Sequence, residues 1–155
     1  MKYPMTQAGF LALQEELKTL KTEVRPKVIQ DIAEARAHGD LSENAEYDAA
    51  REKQSMVEGR IRELEVKLSG AEVIDSSQFD GSKVIFGVTV TIMDADSGEK
   101  QTWTLVGEDE ADLKKSKISI SSPLARALIG KSVGDQLEIR TPKGTKECEI
   151  IEISI

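Results

Sequence analysis

Asp40 and Glu43 stand three residues apart in the stretch His38-Gly39-Asp40-Leu41-Ser42-Glu43-Asn44. If that stretch opens a helix, both carboxylates face the same way, and two chemistries use such an arrangement. In a capping box Asp40 accepts a backbone N–H and Glu43 reaches back to another, while negative charge at the helix start complements its dipole. In a partial metal site the same oxygens are hard donors suited to magnesium, an ion that keeps its waters and takes further ligands from a phosphate or a second protein. Spacing alone leaves both open, and the second needs a partner. Glu46 and Asp48 follow closely, and no Lys or Arg occurs between Arg36 and Arg51, so the surface presenting the pair is acidic.

The flanking pattern says what must position these groups. Phe10, Leu13, Leu17, Leu20 and Val24 follow 3-4-3-4 spacing, one stripe of a helix, which Val28, Ile32 and Ala35 extend. Pro26 interrupts this run, and a kink is expected there, because proline removes a donor and crowds the preceding turn. A second run carries Ala45, Ala49, Val57, Ile61, Leu64 and Leu68. The link at His38-Gly39-Asp40 is short, so residues 6–70 are predicted to form an antiparallel helical hairpin whose apolar stripes zip together. At ~1.5 Å per residue the helix from 42 to 68 puts the acidic turn ~40 Å from the hairpin base. Alanines 33, 35, 37, 45, 49 and 50 replace larger residues near the turn, which predicts close helix approach there.

Beyond Ser69-Gly70 the period changes to two. Val84, Phe86, Val88, Val90 and Ile92 alternate with their neighbours, as does 101–106, with turn residues at 94–98 between them, which predicts a β-hairpin. A short strand at Ile118 and Ile120, a helix opened by Ser122-Pro123 and stopped by Gly130, and two strands around Leu137 and over 148–155 complete the half. The fold class is therefore α+β: a coiled-coil hairpin over 1–75 with its acidic tip near 38–48, then a small antiparallel sheet domain with one short helix over 80–155.

Composition excludes several classes. Of 155 residues, 21 are Lys or Arg and 28 Asp or Glu, for a net charge of −7. Residues 1–75 are net −4 and 76–155 net −3, so independent duplex-DNA binding is not expected of either half. The longest stretch without a charge is twelve residues, Tyr3 to Gln14, against ~20 apolar residues for a membrane span. No secretory leader pattern opens the chain, and the cytoplasm is the expected location. One Cys and one His exclude zinc-finger ligand sets.

The run from Ala35 to Tyr47, ARAHGDLSENAEY, resembles the hairpin-tip signature of the Gre family of bacterial transcript cleavage factors. The agreement extends to Ile-Ala-Glu-Ala-Arg at 32–36, Glu58-Gly59-Arg60-Ile61, Asp109-Glu110-Ala111-Asp112, and the stretch from Ser122-Pro123 through Gly130-Lys131. It covers essentially the whole chain. The resemblance implies a hairpin followed by an FKBP-like domain. It also implies a factor that binds bacterial RNA polymerase, inserts its hairpin through the secondary channel and stimulates hydrolysis of backtracked RNA by the polymerase's own active site, without being an enzyme itself. The family's two tip acids fall on Asp40 and Glu43, which would help hold a magnesium shared with the polymerase, there being no cofactor of the chain's own. A basic patch gripping the RNA 3′ end would comprise Arg36, Arg51, Lys53 and Arg60, and Tyr47 would position RNA or the tip. At 100° per residue, however, these cations share no single helix face, and Tyr47 could equally pack over the alanine-rich end. Ser42 stands where some relatives carry a basic residue. Ser122 and Pro123 fall on the loop that docks at the channel rim, and the same two residues serve as helix cap and first-turn proline.

Three rival functions remain distinguishable. A channel-binding inhibitor would occupy the polymerase without promoting cleavage. A prolyl isomerase would need an aromatic-lined pocket, for which only Phe79, Phe86 and Trp103 are available, the last two being expected in strand cores. A stand-alone nuclease would need more metal ligands than the tip offers. The acids of 108–112 are expected to be solvated or to position the domain, and His38 and Cys148 to be a helix-end polar residue and a buried strand residue.

Overall fold

The computed structural model describes residues 2–39, 44–77 and 79–155. Two compact units emerge, one of Phe10–Ala71 and one of Tyr3–Gly9 together with Glu72–Ile155.

The first unit is helical: α1 (Gln7–Thr19), a π-helical turn over Leu20–Val24, α2 (Arg25–Ala37) and α3 (Ala45–Ser69). The chain stays helical through Pro26, which occupies the first turn of α2, where a missing N–H costs least. The irregularity lies just upstream. Leu20, Val24, Val28 and Ile32 are each four apart, a spacing that would rotate the stripe off the seam in an unbroken α-helix. The wider i→i+5 turn takes up the surplus. Val28, Ile32, Ala50, Val57 and Ile61 form the seam, with Leu17, Leu20, Val24 and Tyr47 packed against them. Near the turn only Ala35 and Ala50 are buried, at 3% and 9% exposure, whereas Ala45 and Ala49 face solvent. The α3 stripe therefore runs 47, 50, 54, 57, 61, 64 and 68, and the half-buried Gln54 holds one of its places.

Charges away from the seam pair between helices. Arg25 donates two hydrogen bonds to Glu58, both 2.8 Å, and Lys21 Nζ lies 2.8 Å from Glu65. Its hydrogen bond with Glu58 raises the pKa of Arg25, and Lys21 holds Glu65 below the usual carboxylate range.

The second unit contains a five-stranded sheet of order β5-β4-β3-β7-β6, from β3 (Thr89–Asp94), β4 (Lys100–Val106), β5 (Lys117–Ser119), β6 (Gln136–Thr141) and β7 (Gly144–Ser154). Its ladders are antiparallel except β4–β5, which is parallel. The sheet is thus mixed rather than purely antiparallel, because two 3₁₀ turns between 107 and 116 carry the chain back before β5 begins. The strand expected from Val84 starts only at Thr89. Gly87, at φ 90°, takes the left-handed conformation that breaks the alternation, and Val84 instead exchanges backbone hydrogen bonds with Gly130 and Lys131. Val84, Val88, Val90, Ile92, Leu105, Leu128 and Ile150 are almost fully buried under α4 (Pro123–Leu128). A second, two-stranded sheet pairs β1 (Tyr3–Met5) with β2 (Ala71–Val73), an element without a periodicity long enough to read. Among the described residues no helix is long and apolar enough to cross a membrane.

Candidate functional site

Two helix ends bracket residues 40–43. α2 terminates at His38, whose N–H reaches the Ala35 carbonyl at 3.2 Å, and Gly39 follows at φ 111° with its N–H on the Arg36 carbonyl, the left-handed exit that glycine permits. α3 begins at Ala45 with Asn44 as N-cap, its Oδ1 accepting from Tyr47 N–H at 3.1 Å. Asn44 Nδ2 also donates to the Ala35 carbonyl at 2.7 Å. One side chain thereby caps the start of α3 and gives the Ala35 carbonyl at the end of α2 a second donor besides His38 N–H. The helix-start cap expected within Asp40-x-x-Glu43 is supplied by Asn44; Asp40, Ser42 and Glu43 themselves lie outside the described residues. Asn is among the strongest N-cap formers, and that signal was present beside the more conspicuous acidic pair. Farther out, His38 Nδ1 and Glu46 Oε2 are 2.9 Å apart, and Glu46 and Asp48 place negative charge in the first turn of α3.

The flanks of this end differ. On one, the Arg36 guanidinium lies over the Tyr47 ring, 5.8 Å from its centroid, within cation–π range. Arg51 joins them one turn along α3. Hydrogen bonding from Arg36, opposed by desolvation and aided by the charges of Arg51 and Arg36, holds the Tyr47 phenol below the usual tyrosine range. Arg36 and Arg51 also line a groove of about 250 Å³ with Ile29, Ile32, Ala33 and Gln54. Neither arginine pairs with a carboxylate among the described residues. Two helices thus assemble what no single helix face could. On the other flank Lys53 lines a groove with Asp31, Glu34, His38 and Glu46, where cation and acids offset one another. Arg60 lies elsewhere along the shaft. Its Nε and Nη2 donate to Glu16 at 2.9 and 2.8 Å, and Glu63 is 3.2 Å away. The structure therefore brings Arg36, Tyr47 and Arg51 together and separates Lys53 and Arg60 from them.

In the second unit Ser122 Oγ accepts from Ala125 N–H at 3.2 Å and Pro123 is the first residue of α4. Both line a cavity of about 530 Å³ with Trp103, Leu113, Leu124 and Ile139. Trp103, expected in the strand core, is only half-buried and forms part of this wall, its Nε1–H buried without an acceptor among the described residues. Phe86 is buried at 8% exposure. The acids of 108–112 engage neighbours: Glu108 accepts from the Ser121 hydroxyl, Asp112 from Lys114 N–H, and Glu110 from Thr6 and Gly107. Among the described residues no group of three His, Cys, Asp or Glu side chains converges as a metal site. Cys148 is buried, which raises its thiol pKa.

Comparison with known proteins covers both units. Residues 3–73 match the family model described as transcription elongation factor, N-terminal, and residues 80–155 the one described as transcription elongation factor, GreA/GreB, C-term. Relatives named transcription elongation factor GreA include those of Hyphomonas neptunium, 59% identical over 98% of this chain and 97% of its own length, and Beijerinckia indica, 58% identical over 99% and 98%. That of Cereibacter sphaeroides is 60% identical over 98% and 97%. A solved structure titled as that of the transcription factor Gfh1 is 30% identical over 99% of this chain and 97% of its own, with a TM-score of 0.48.

Proposed function

Because this chain belongs to the GreA/GreB family of transcription elongation factors, we propose that it acts on bacterial RNA polymerase by entering the secondary channel with its hairpin end and stimulating cleavage of backtracked nascent RNA. The hydrolysis belongs to the polymerase's active site; this chain donates oxygens to it. The observation that carries the reading is the convergence of Arg36, Tyr47 and Arg51 beside the connection that holds Asp40 and Glu43. Two guanidinium groups with no carboxylate partner among the described residues, and an aromatic face, suit the phosphates and unstacked bases of a single-stranded RNA end. The Asn44 side chain joins the last turn of α2 to the first turn of α3, which fixes where the connection carrying the two carboxylates re-enters a helix.

Magnesium is part of the same proposal. The carboxylates of Asp40 and Glu43 are hard oxygen donors of the kind that ion prefers, too few to hold it alone. When bound between factor and polymerase, it would lower the pKa of the attacking water and offset charge on the scissile phosphate. Arg36 and Arg51 hold the RNA end on one flank, Tyr47 offers a stacking face, and Ser122 and Pro123 beside the Trp103 cavity meet the channel rim.

The test uses a stalled, backtracked elongation complex. Cleavage should appear only when factor, polymerase and magnesium are all present, and RNA with factor and magnesium alone should stay intact. Binding that slows nucleotide addition without any cleavage would establish the inhibitor reading instead. Since Trp103 lines a cavity, a proline-peptide isomerisation assay is a worthwhile control; no turnover is expected.

A further inference from the structure

We propose that Glu110 is a positioning residue for the cleavage-stimulating function, holding the first turn of α1 against the turn at Gly107. The proposal rests on the functional reading above and concerns residues of one compact unit, which takes in 3–9 as well as 72–155.

Thr6 caps α1: its Oγ1 accepts from Gly9 N–H at 3.1 Å. In a capping box the third helical residue would be Glu or Gln, whose side chain returns to the cap N–H. Here that third residue is Gly9, and the carboxylate comes from Glu110, far along the chain. Glu110 Oε2 accepts from Thr6 N–H at 3.0 Å, Oε1 accepts from the Thr6 hydroxyl, and Oε2 also accepts from Gly107 N–H at 3.1 Å. A distant side chain thus completes the box, with its negative charge at the positive end of the α1 dipole.

Two glycines make room for this arrangement. A Cβ on Gly9 would overlap the Glu110 carboxyl group, and one on Gly107 would overlap the Pro4 carbonyl oxygen. Neither glycine has a positive φ, so space rather than backbone conformation demands them. Next to the joint, Met5 is 2% exposed and its carbonyl accepts from Ile74 N–H at 2.9 Å. The segment entering α1 is thus held by a strand pairing and by Glu110. The pairing fixes the chain path into Thr6, and the carboxylate fixes the first turn of the helix.

A positioning role predicts a split between binding and rate. In full-length protein acting on backtracked complexes, Glu110→Ala should keep the half-saturating concentration within about twofold of wild type and lower the maximal cleavage rate about fivefold or more. Amide exchange at Thr6 and Gly107 should quicken. Glu110→Gln, which retains an acceptor oxygen, should recover most of the rate, and Gly9→Ala, which displaces the carboxylate, should behave like Glu110→Ala. Thr6→Val, losing only the hydroxyl, should give about a twofold loss and covers the case in which Glu110→Ala does not fold. Wild-type cleavage with unchanged maximal rates in the folded Glu110 and Thr6 variants would overturn this inference while leaving the functional reading intact. Absence of cleavage by the wild type would instead remove the functional reading on which it rests.

Discussion

Arginines do different work at the two ends of the same pair of helices. Along the shaft Arg25 faces Glu58 and Arg60 faces Glu16, each through two hydrogen bonds of 2.8–2.9 Å. Toward the acidic connection Arg36 lies over the Tyr47 ring, and Arg51 also approaches its phenol. What separates the cases is whether the opposite helix presents a carboxylate at the right register. Where it does, the cation is consumed in holding the hairpin together; Arg36 meets the Tyr47 ring instead, and among the described residues neither it nor Arg51 pairs with a carboxylate. The same logic separates Arg51 from Lys53, two residues apart on α3 but on flanks with opposite neighbours.

The contrast can be broken in order of expected size. Ile61→Ala removes a seam side chain only 2% exposed and should cost about 2–5 kcal/mol, the usual range for such truncations, lowering the melting temperature in thermal unfolding. A value near zero would mean that the paired charges, not the seam, hold the shaft. Arg36→Ala and Arg51→Ala should each reduce cleavage about tenfold, the scale of one ~1.5 kcal/mol hydrogen bond to a charged group, with little change in melting. Arg60→Ala should do the reverse, leaving cleavage nearly intact and costing under ~1 kcal/mol as an exposed pair. If Arg60 matched Arg36 in the cleavage assay, the division drawn between shaft and end would fail.

Asn44→Ala sharpens the comparison at the end itself. Loss of an N-cap should cost ~0.5–2 kcal/mol, and because the same side chain holds the Ala35 carbonyl, helix fraying in amide exchange should spread to the last turn of α2. Fraying confined to α3 would show that the bridge contributes nothing.

The smallest effect is acid sensitivity of the shaft. Lys67, with Arg60, holds Glu63 below its ordinary value of 4.5, and Lys21 does the same for Glu65. A depressed folded-state pKa contributes stability that is complete above the ordinary value and is lost as pH falls through the depressed one. Helicity should therefore decline gently below pH ~4.5, and Glu65→Gln should flatten part of that decline. A loss on raising pH would have the wrong sign.

How much of this was legible depended on sequence distance. The 3-4 stripes placed Leu13, Val28, Ile32, Val57, Ile61 and Leu64 in the helical core, where they are found, because a period repeats its signal every turn. The alanines were harder: four of the six are exposed, and which of Ala49 and Ala50 turns inward depends on the start of α3, which Asn44 sets. The π turn over Leu20–Val24 follows from the three successive four-residue steps from Leu20 to Ile32, a signal that the nearby Pro26 masks. Gly87 ended an apparent strand pattern through one backbone angle. The parallel β4–β5 pairing and the Glu110 contact with Thr6 join residues with no local signature, and no periodicity could reveal them. The meeting of Arg36 with Tyr47 and Arg51 was likewise hidden while each helix was considered alone.

The central claim concerns carboxylates carried on the connection between α2 and α3. Its most direct measurement is the rate of RNA cleavage in a backtracked polymerase complex, with polymerase binding measured in parallel, for wild type, Asp40→Ala and Glu43→Ala. The account predicts binding and helicity close to wild type and cleavage reduced about a hundredfold or more, the scale of losing one group that stabilises charge in a transition state. Cleavage at the wild-type rate by either bound variant would contradict it.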